Sequence, residues 1–521
     1  LSRNPGKNRK DNRRFKEKFI VNFQQPARMA NNIFVGYPSS YRTGMSNLGF
    51  HFIFKKLKSR RLMRVERFFT DTSPFTFESG LKISSSTALF ITLSYEEDYL
   101  NLVRILIESE IEPSREKRRC RPIIILGGPA VSANPAPMSE VADIIAIGEG
   151  EEVINDIADF VDRYGGEGCE KIADKLRGIE GIFVSGQSAE GVELAHPGNI
   201  DRFPVSAVLS SNTAFSDMLL MEISRGCTGN CCFCLASAIY SPLRIQRYES
   251  IMAVLGEIPE FVRKVGLVST SVTSHPDFNR IVGELIKRGI KTSFSSLKAE
   301  DIDADKALMI GKAGANSVAL APETGSEDIR YILGKKVPDR AYFNAARLLS
   351  TQGISKFTLY LISGYPGESE KVIRETELFI KNFKRVIGKA TLSVHINVVV
   401  PKAQTPLQFY ALPEKKNLEM RLGKLAEICE SITGNVRVKS IRGVFRQAVL
   451  SLGDEDVGKA VIKYGRGGIS WKKALRNSNV DPEFIHDKKR LFEFFPWDHI
   501  TGKTKRDYLF KRFEDLINLT G

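Results

Sequence analysis

Four of the chain's seven cysteines fall within the stretch SRGCTGNCCFC, from Ser224 to Cys234. Cys227, Cys231 and Cys234 are spaced C-x3-C-x2-C, directly after the strand-like run LLMEIS. A loop at that point can fold three thiolates around one corner of an inorganic cluster. Thiolates hold iron–sulfur clusters, and a four-iron cubane normally takes four of them. Three regularly spaced donors therefore leave one iron open to a substrate or cofactor. A structural zinc site is the competing reading, and it takes four closed protein ligands. Cys232 supplies the fourth only by pointing away from its immediate neighbour Cys231. Inert thiols are a third reading.

The elements around this loop predict its setting. From 216 to 408 the runs LLMEIS, KVGLVSTS, IKTSFSSL, SVALAPE, KFTLYLISG and LSVHINVVVP alternate with amphipathic stretches. Six strands with helical crossovers predict a partial (β/α)6 barrel. Ahead of it, 32–165 carries NIFVGYP, TALFITL, PIIILGGPA and DIIAIGEGE, again alternating with helical patterns. That alternation predicts a doubly wound, Rossmann-like parallel sheet, whose ligands bind at the carboxyl ends of its strands. Residues 1–31 read as a basic arm, 166–215 as a linker or hairpin, and 409–521 as a mainly helical domain.

Composition narrows the class. The 521 residues exceed what one hydrophobic core fills, and 42% apolar with 26% charged residues is ordinary for a globular protein. No apolar run approaches the ~20 residues of a membrane span, and no signal peptide is visible. Clustered cysteines, odd in number, suit a metal site in a reducing cytoplasm better than a disulfide framework. The net charge of +15 is concentrated in 1–18 and in KTKRDYLFKR. Such runs are solvated surface or face an anionic partner.

The cysteine motif after a first barrel strand resembles the signature of radical S-adenosylmethionine (SAM) enzymes, and Phe233 stands where they usually place an aromatic residue. The resemblance implies that the open iron binds the amino and carboxylate groups of SAM, which is then cleaved to a 5′-deoxyadenosyl radical. FSSLKAED resembles their SLR stretch and implies that Ser295, Ser296 and Lys298 lie near SAM. APETGSEDIR resembles APEAGSERLR, which implies contacts from Glu323, Ser326 and Arg330 to the ribose and carboxylate ends. LISGYPGESE resembles the turn lining the adenine side.

The front segments GYPSSYRTGMSNLGF, SYEEDYLNL, LGGPAVSANPAPM and IGEGEE are similar to the N-terminal part of cobalamin-binding radical SAM proteins. The likeness implies cobalamin contacts from Ser94, Tyr95, Gly127, Gly128, Pro129, Gly148, Glu149 and Gly150. A Gly-Gly turn lets backbone approach a bulky ligand without a Cβ in the way. The D-x-H-x-x-G stretch that supplies histidine to cobalt does not occur before residue 200, and His51 reads as a packed helix residue. VVVPKAQTP, GRGGISW and FFPWDHITG extend the resemblance over 32–510, with a final domain covering the barrel mouth. There Asp498 and His499 reach the substrate or hold that domain in place.

The resemblance implies a cobalamin-dependent radical SAM C-methyltransferase of the cytoplasm. Its target would be an unactivated sp3 carbon of a protein or peptide side chain, such as a glutamine of methyl-coenzyme M reductase. An external electron donor of flavodoxin or ferredoxin type is implied, and no membrane. Nucleic acid as partner is a weaker expectation. The alternatives are a non-methylating radical SAM enzyme (a cyclase, an oxygenating or an RNA-modifying enzyme) and a non-enzymatic iron–sulfur RNA-binding protein. Methylthiotransferases are disfavoured, because they need three cluster cysteines in the N-terminal domain and this one offers only Cys120 and Cys169.

Overall fold

A computed structural model describes residues 16–118, 121–164, 175–186, 191–197, 203–502 and 504–520. The front domain is a six-stranded sheet of β1 (Asn31–Tyr37), β2 (Met63–Phe69), β3 (Ala88–Thr92), β4 (Ile123–Gly127), β5 (Ile144–Ala146) and β6 (Ile182–Val184). The spatial order is β2-β1-β3-β4-β5-β6, parallel except for β6, which closes the edge antiparallel to β5. Helices α1 (Leu48–Lys58), α2 (Asp98–Glu108) and α3 (Gly150–Tyr164) connect the strands. The runs ALFI in β3 and IIIL in β4 are buried throughout, as parallel strands covered on both faces require. Strand order reverses between β1 and β3, which opens a crevice at their carboxyl ends. Asn47 ties the two sides of it together: its carbonyl caps α1 by accepting from Phe50 N at 2.9 Å, and its amide donates to Ser94 Oγ at 3.1 Å.

Two strands are hidden in the sequence. β2 reads MRVERFF, and its charges break the apolar pattern, yet Glu66 and Arg67 are buried because they are paired. Arg67 is fully enclosed between Glu17 and Glu78, at 2.6 and 2.7 Å, while Glu66 accepts from Thr76 and Ser79. β6 falls in the segment expected as a linker or hairpin, and its three residues are all buried against the sheet edge. Glu17–Phe19 pairs with Val208–Ser210, so the described end of the basic arm is anchored. Residues 1–15, Cys120 and Cys169 lie outside the described residues.

His51 is a packed residue of this domain. Its Nε2 lies 3.0 Å from Met45 O, and Ala207 N donates to its Nδ1 at 3.2 Å. Burial lowers its pKa from 6.5 to about 4. The unfolded imidazole therefore takes up a proton that the folded one refuses. Stability is full above pH 6.5 and falls as the pH drops towards 4. The expected loss across that window is about 3 kcal/mol. Thermal unfolding followed against pH should show a shallower acid dependence in His51→Gln than in the wild type.

The second domain repeats strand and helix: β7 (Leu219–Glu222), α4 (Tyr248–Glu257), β8 (Lys264–Val268), α5 (Phe278–Lys287), β9 (Lys291–Phe294), α6 (Ala304–Lys312), β10 (Ser317–Glu323), α7 (Asp339–Thr351), β11 (Lys356–Ser363), α8 (Glu370–Ile387) and β12 (Thr391–Val398). These are the six strands of the expected open barrel. They form two parallel sheets, β7-β8-β9 and β10-β11-β12, and the second gains a short strand β13 (Val436–Val438) after α9 (Lys415–Thr433).

The C-terminal part adds helices α10 (Ile441–Leu452), α11 (Glu455–Gly465), α12 (Trp471–Arg476) and α13 (Arg506–Thr520). α10 and α11 dock on the front domain. Asn134, in the stretch after the Gly-Gly turn, donates to Ser451 O and Gly453 O at 3.1 and 2.8 Å. Arg446 pairs with Glu97, and Lys402 with the buried Glu96, which also accepts from Gln447 Nε2 at 2.8 Å. No helix among the described residues is long and apolar enough to cross a membrane.

Candidate functional site

After β7, Ser224–Arg225 pairs antiparallel with Arg244–Ile245, so residues 226–243 loop out from the barrel rim. Gly226 opens the loop at φ +85°, and a Cβ there would lie 2.5 Å from Tyr240 O. Only glycine fits that approach. Cys227, Cys231 and Cys234 border a cavity of about 280 Å³. Gly229 N donates to Cys227 Sγ at 3.2 Å, and Cys231 Sγ lies 4.0 Å from the Cβ position of the same glycine. No group of three or more His, Cys, Asp or Glu among the described residues closes on a single metal ion. The thiols instead border a space several atoms wide, which suits a cluster better than one zinc held at ~2.3 Å by four ligands.

Cys232 turns the other way. It is buried with Leu333, Tyr365 and Leu516, and its sulfur accepts from Arg512 Nη2 at 3.4 Å. Helix α13 braces the loop from that side: Asn230 Nδ2 donates to Tyr508 OH at 2.6 Å, and Arg512 donates to Asn230 O at 3.0 Å. Cys232 is thus an anchor of the loop.

The strand ends opposite carry the residues expected near SAM. Lys298 Nζ donates to Thr228 Oγ1 at 3.2 Å, which brings its stretch against the cysteine loop. Ser295 Oγ accepts from Ser269 N and donates to Ser269 O, joining the ends of β8 and β9, and Ser296 O accepts from Val272 N at 3.1 Å. Glu323 ends β10 at φ +66°, a strained conformation for a glutamate, with Lys335 Nζ 2.7 Å from its carboxylate. Burial pushes the Cys231 thiol up to about 12, partly countered by the Lys335 charge. Ser326 is buried at the start of the short helix Glu327–Ile332.

Arg330 is not brought to this mouth. Its fully buried guanidinium donates to Pro322 O, Thr324 O and Val337 O and pairs with Asp339 at 2.8 Å. It also lies over the rings of Tyr342 and Phe379, at 5.0 and 5.3 Å. It supports the barrel wall. A further cation beside the cysteine loop is Lys335, whose charge acts on Cys231; sequence reasoning missed it, and Gly334-Lys335-Lys336 after a short helix is the signal it left.

The crevice at the carboxyl ends of β3, β4 and β5 holds a cavity of about 450 Å³, faced across the gap by Val268–Thr270 at the end of β8. Ser94, Gly127, Gly128, Pro129, Gly148, Glu149 and Gly150 all line it. Tyr95 does not; its hydroxyl donates to Gln447 Oε1 at 2.8 Å, and the Lys439 ammonium sits 5.3 Å above its ring. The glycines have a different reason from the expected one. Gly128, at φ +111°, would set a Cβ 2.6 Å from Leu93 O, and Gly148, at φ +99°, one 2.5 Å from Ala195 O. Neighbouring backbone demands them. Gly127 alone has ordinary room, with Ala146 Cβ at 3.6 Å.

Glu149 joins this crevice to the barrel. It is buried, and Arg225 Nη1 reaches it at 2.5 Å, with Arg244 and His196 also in contact. Burial raises its pKa, but bonds from His196 and Arg244 and the charge of Arg225 outweigh that and hold it at about 2. Arg225 also binds Glu151 and Glu222, each at 2.7 Å. Asp498 borders a further cavity and pairs with Arg506 at 2.8 Å. His499 stacks on Phe183 of β6 at 5.1 Å between ring centres, and burial lowers its pKa. The structure does not set its ring among the residues bordering the cysteine cavity.

Residues 49–185 match the description "Radical SAM proteins, N-terminal", and residues 221–380 match "Radical SAM superfamily", together more than half of the chain. The chain belongs to the radical SAM superfamily. Membership implies a 4Fe–4S cluster and SAM as cofactors. This radical SAM chain is 28% identical over 466 residues to the uncharacterized protein MJ0966 of Methanocaldococcus jannaschii, covering 88% of the chain and 96% of that protein. It is similar in fold to TsrM from Kitasatospora setae, a radical SAM methyltransferase solved with cobalamin and a 4Fe–4S cluster. That likeness has a TM-score of 0.53 at 11% identity and covers 87% of this chain and 99% of the other. The cobalamin-dependent SAM radical enzyme OxsB, solved with aqua-cobalamin and SAM, gives a TM-score of 0.50 at 18% identity, over 68% of this chain and 52% of that one. At such identities the likeness is one of fold.

Proposed function

We propose that this radical SAM enzyme is a cobalamin-dependent C-methyltransferase acting on an unactivated sp3 carbon of a protein or peptide side chain. A glutamine of methyl-coenzyme M reductase is the example its sequence resemblance offers. The observation that carries the reading is the juxtaposition of two cavities. The short helix Leu235–Ile239 follows Cys234 and borders both: Ala236 lines the crevice of the front sheet, while Ser237 and Ala238 line the cysteine cavity. TsrM and OxsB, solved with cobalamin bound in proteins of this fold, support it.

When bound, the cluster and SAM supply homolytic chemistry and cobalamin a transferable methyl group. Cys227, Cys231 and Cys234 would hold the cluster; Ser295, Lys298 and the Glu323–Lys335 pair would border SAM. Ser94, Gly127, Ala146 and Gly150 would border the corrin. Among the described residues lining the crevice there is no histidine. The chain's own work is orientation and exclusion of water, which lowers the entropic part of the barrier. The free thiols suit a reducing cytoplasm, and a flavodoxin- or ferredoxin-type protein is the reductant this reading requires.

Anaerobic turnover with methyl-labelled SAM, followed by mass spectrometry of candidate proteins, should show one labelled methyl per modified residue; SAM cleavage without transfer would overturn the reading. Ala146 borders the crevice at the end of β5. Ala146→Phe fills part of that space, and corrin absorbance per chain is expected to fall about tenfold while iron content stays unchanged.

A further inference from the structure

We infer that the cavity between Gln404, Gln408, Trp497 and Thr504 is a binding subsite for a primary carboxamide, the side chain of a glutamine or asparagine. The inference deepens the proposed function and rests on its protein or peptide substrate.

The cavity measures about 450 Å³ and shares Ala238, Gln404, Thr504 and Leu509 with the cavity of the three cysteines. A group held there adjoins the cavity of the cluster loop. Gln408 is 2% exposed, and its Oε1 accepts from Gln404 N at 2.9 Å and from Trp497 Nε1 at 3.0 Å. A backbone N–H and an indole N–H can only donate, so the oxygen end of this amide is fixed. Its NH2 end must therefore point elsewhere, and it has no hydrogen-bond partner among the described residues.

Gln404 is fixed in the opposite sense. Its Nε2 donates to Ser132 O and Ala133 O, both at 2.9 Å, and carbonyls can only accept. Its Oε1 faces away, 3.4 Å from the Cβ position of Gly502, another residue of the cavity wall. No described residue donates to that oxygen. One unpartnered donor and one unpartnered acceptor thus border the same space.

A carboxamide presents the complementary acceptor and donor. A carboxylate offers acceptors only, and an ammonium donors only. Of the charges at the wall, Asp498 and Arg506 pair with each other at 2.8 Å, and the glutamate probe below tests whether the Lys505 ammonium draws a carboxylate instead. Gln404 also holds φ at +62°, a conformation that favours glycine or asparagine. The fold keeps a glutamine there despite the strain, and the amide reaches across to the front domain.

The test uses anaerobically reconstituted holoenzyme and four probes: the N-acetyl, N′-methylamide derivatives of glutamine, asparagine, glutamate and norleucine. Saturation-transfer NMR titrations should show glutamine or asparagine binding about tenfold more tightly than the glutamate and norleucine probes. Gln408→Glu keeps the acceptor for Trp497 and Gln404 but loses the NH2 donor, and should erase that preference with iron content and SAM binding unchanged. Equal binding of all four probes, or a preference that survives Gln408→Glu, overturns the subsite. If the variant does not fold, wild-type discrimination among the probes decides. Carboxamide preference in an enzyme that transfers no methyl leaves the subsite standing and removes the methyltransferase reading; methyl transfer without the preference does the reverse.

Discussion

Cys227→Ala is expected to leave the protein nearly free of iron and to reduce SAM cleavage to background. Each cluster iron held by the chain takes one thiolate, and three thiols are all that border the cavity. Removing one leaves two donors, with no described carboxylate or imidazole positioned to replace it. The informative contrast is Cys232→Ala. Its sulfur sits among Leu333, Tyr365 and Leu516, so its loss should cost about 1 kcal/mol of packing while the iron stays. A four-thiol zinc site would lose its metal equally in both variants. Iron analysis and the visible spectrum of anaerobically purified protein separate the two cases, and full SAM cleavage by Cys227→Ala would refute the ligand assignment.

Arg225→Met should be the most damaging change outside the cysteines. Arg225 lies between Glu149, Glu151 and Glu222, and its side chain is only 12% exposed. Methionine keeps much of the volume and leaves carboxylates buried without their shared cation. Breaking a buried pair in this way costs about 3–5 kcal/mol. For a domain of this size the melting temperature should fall by about 10 °C, and SAM-binding geometry should suffer with it, since Arg225 stands two residues before Cys227. Lys371→Met, which breaks a pair that is 75% exposed on the lysine side, should leave the melting temperature where it was. The Glu149 carboxyl, held at about 2, adds a pH signature. Its folded value is depressed, so its contribution is complete above about 4.5 and lost as the pH falls towards 2. Arg225→Met should flatten that part of the acid profile.

The architecture was legible wherever one local pattern decided it. The cysteine spacing after LLMEIS marked the loop, and alternating apolar and amphipathic runs marked four of the six front strands and all six barrel strands. The Gly-Gly and Gly-Glu-Gly turns do meet in one crevice, because both follow parallel strands of the same sheet. Partners distant in the chain were not legible. β2 hides because Glu66 and Arg67 are buried through residues ten or more positions away. Arg330 reads as a cofactor cation until its carbonyl partners and Asp339 are seen around it. Gly128 reads as room for a ligand, whereas the approach of Leu93 is what excludes a Cβ. Gln404 finds Ser132 across 272 positions, a separation no local pattern encodes.

The clasp of α13 on the cysteine loop carries a temporal consequence. Tyr508 and Arg512 lie 278 and 282 positions downstream of Asn230, the residue they hold. A ribosome therefore exposes the three thiols well before it has made the helix that steadies them. Metal loading must wait until elongation has passed residue 512, or else proceed on a slack loop that the late helix then tightens.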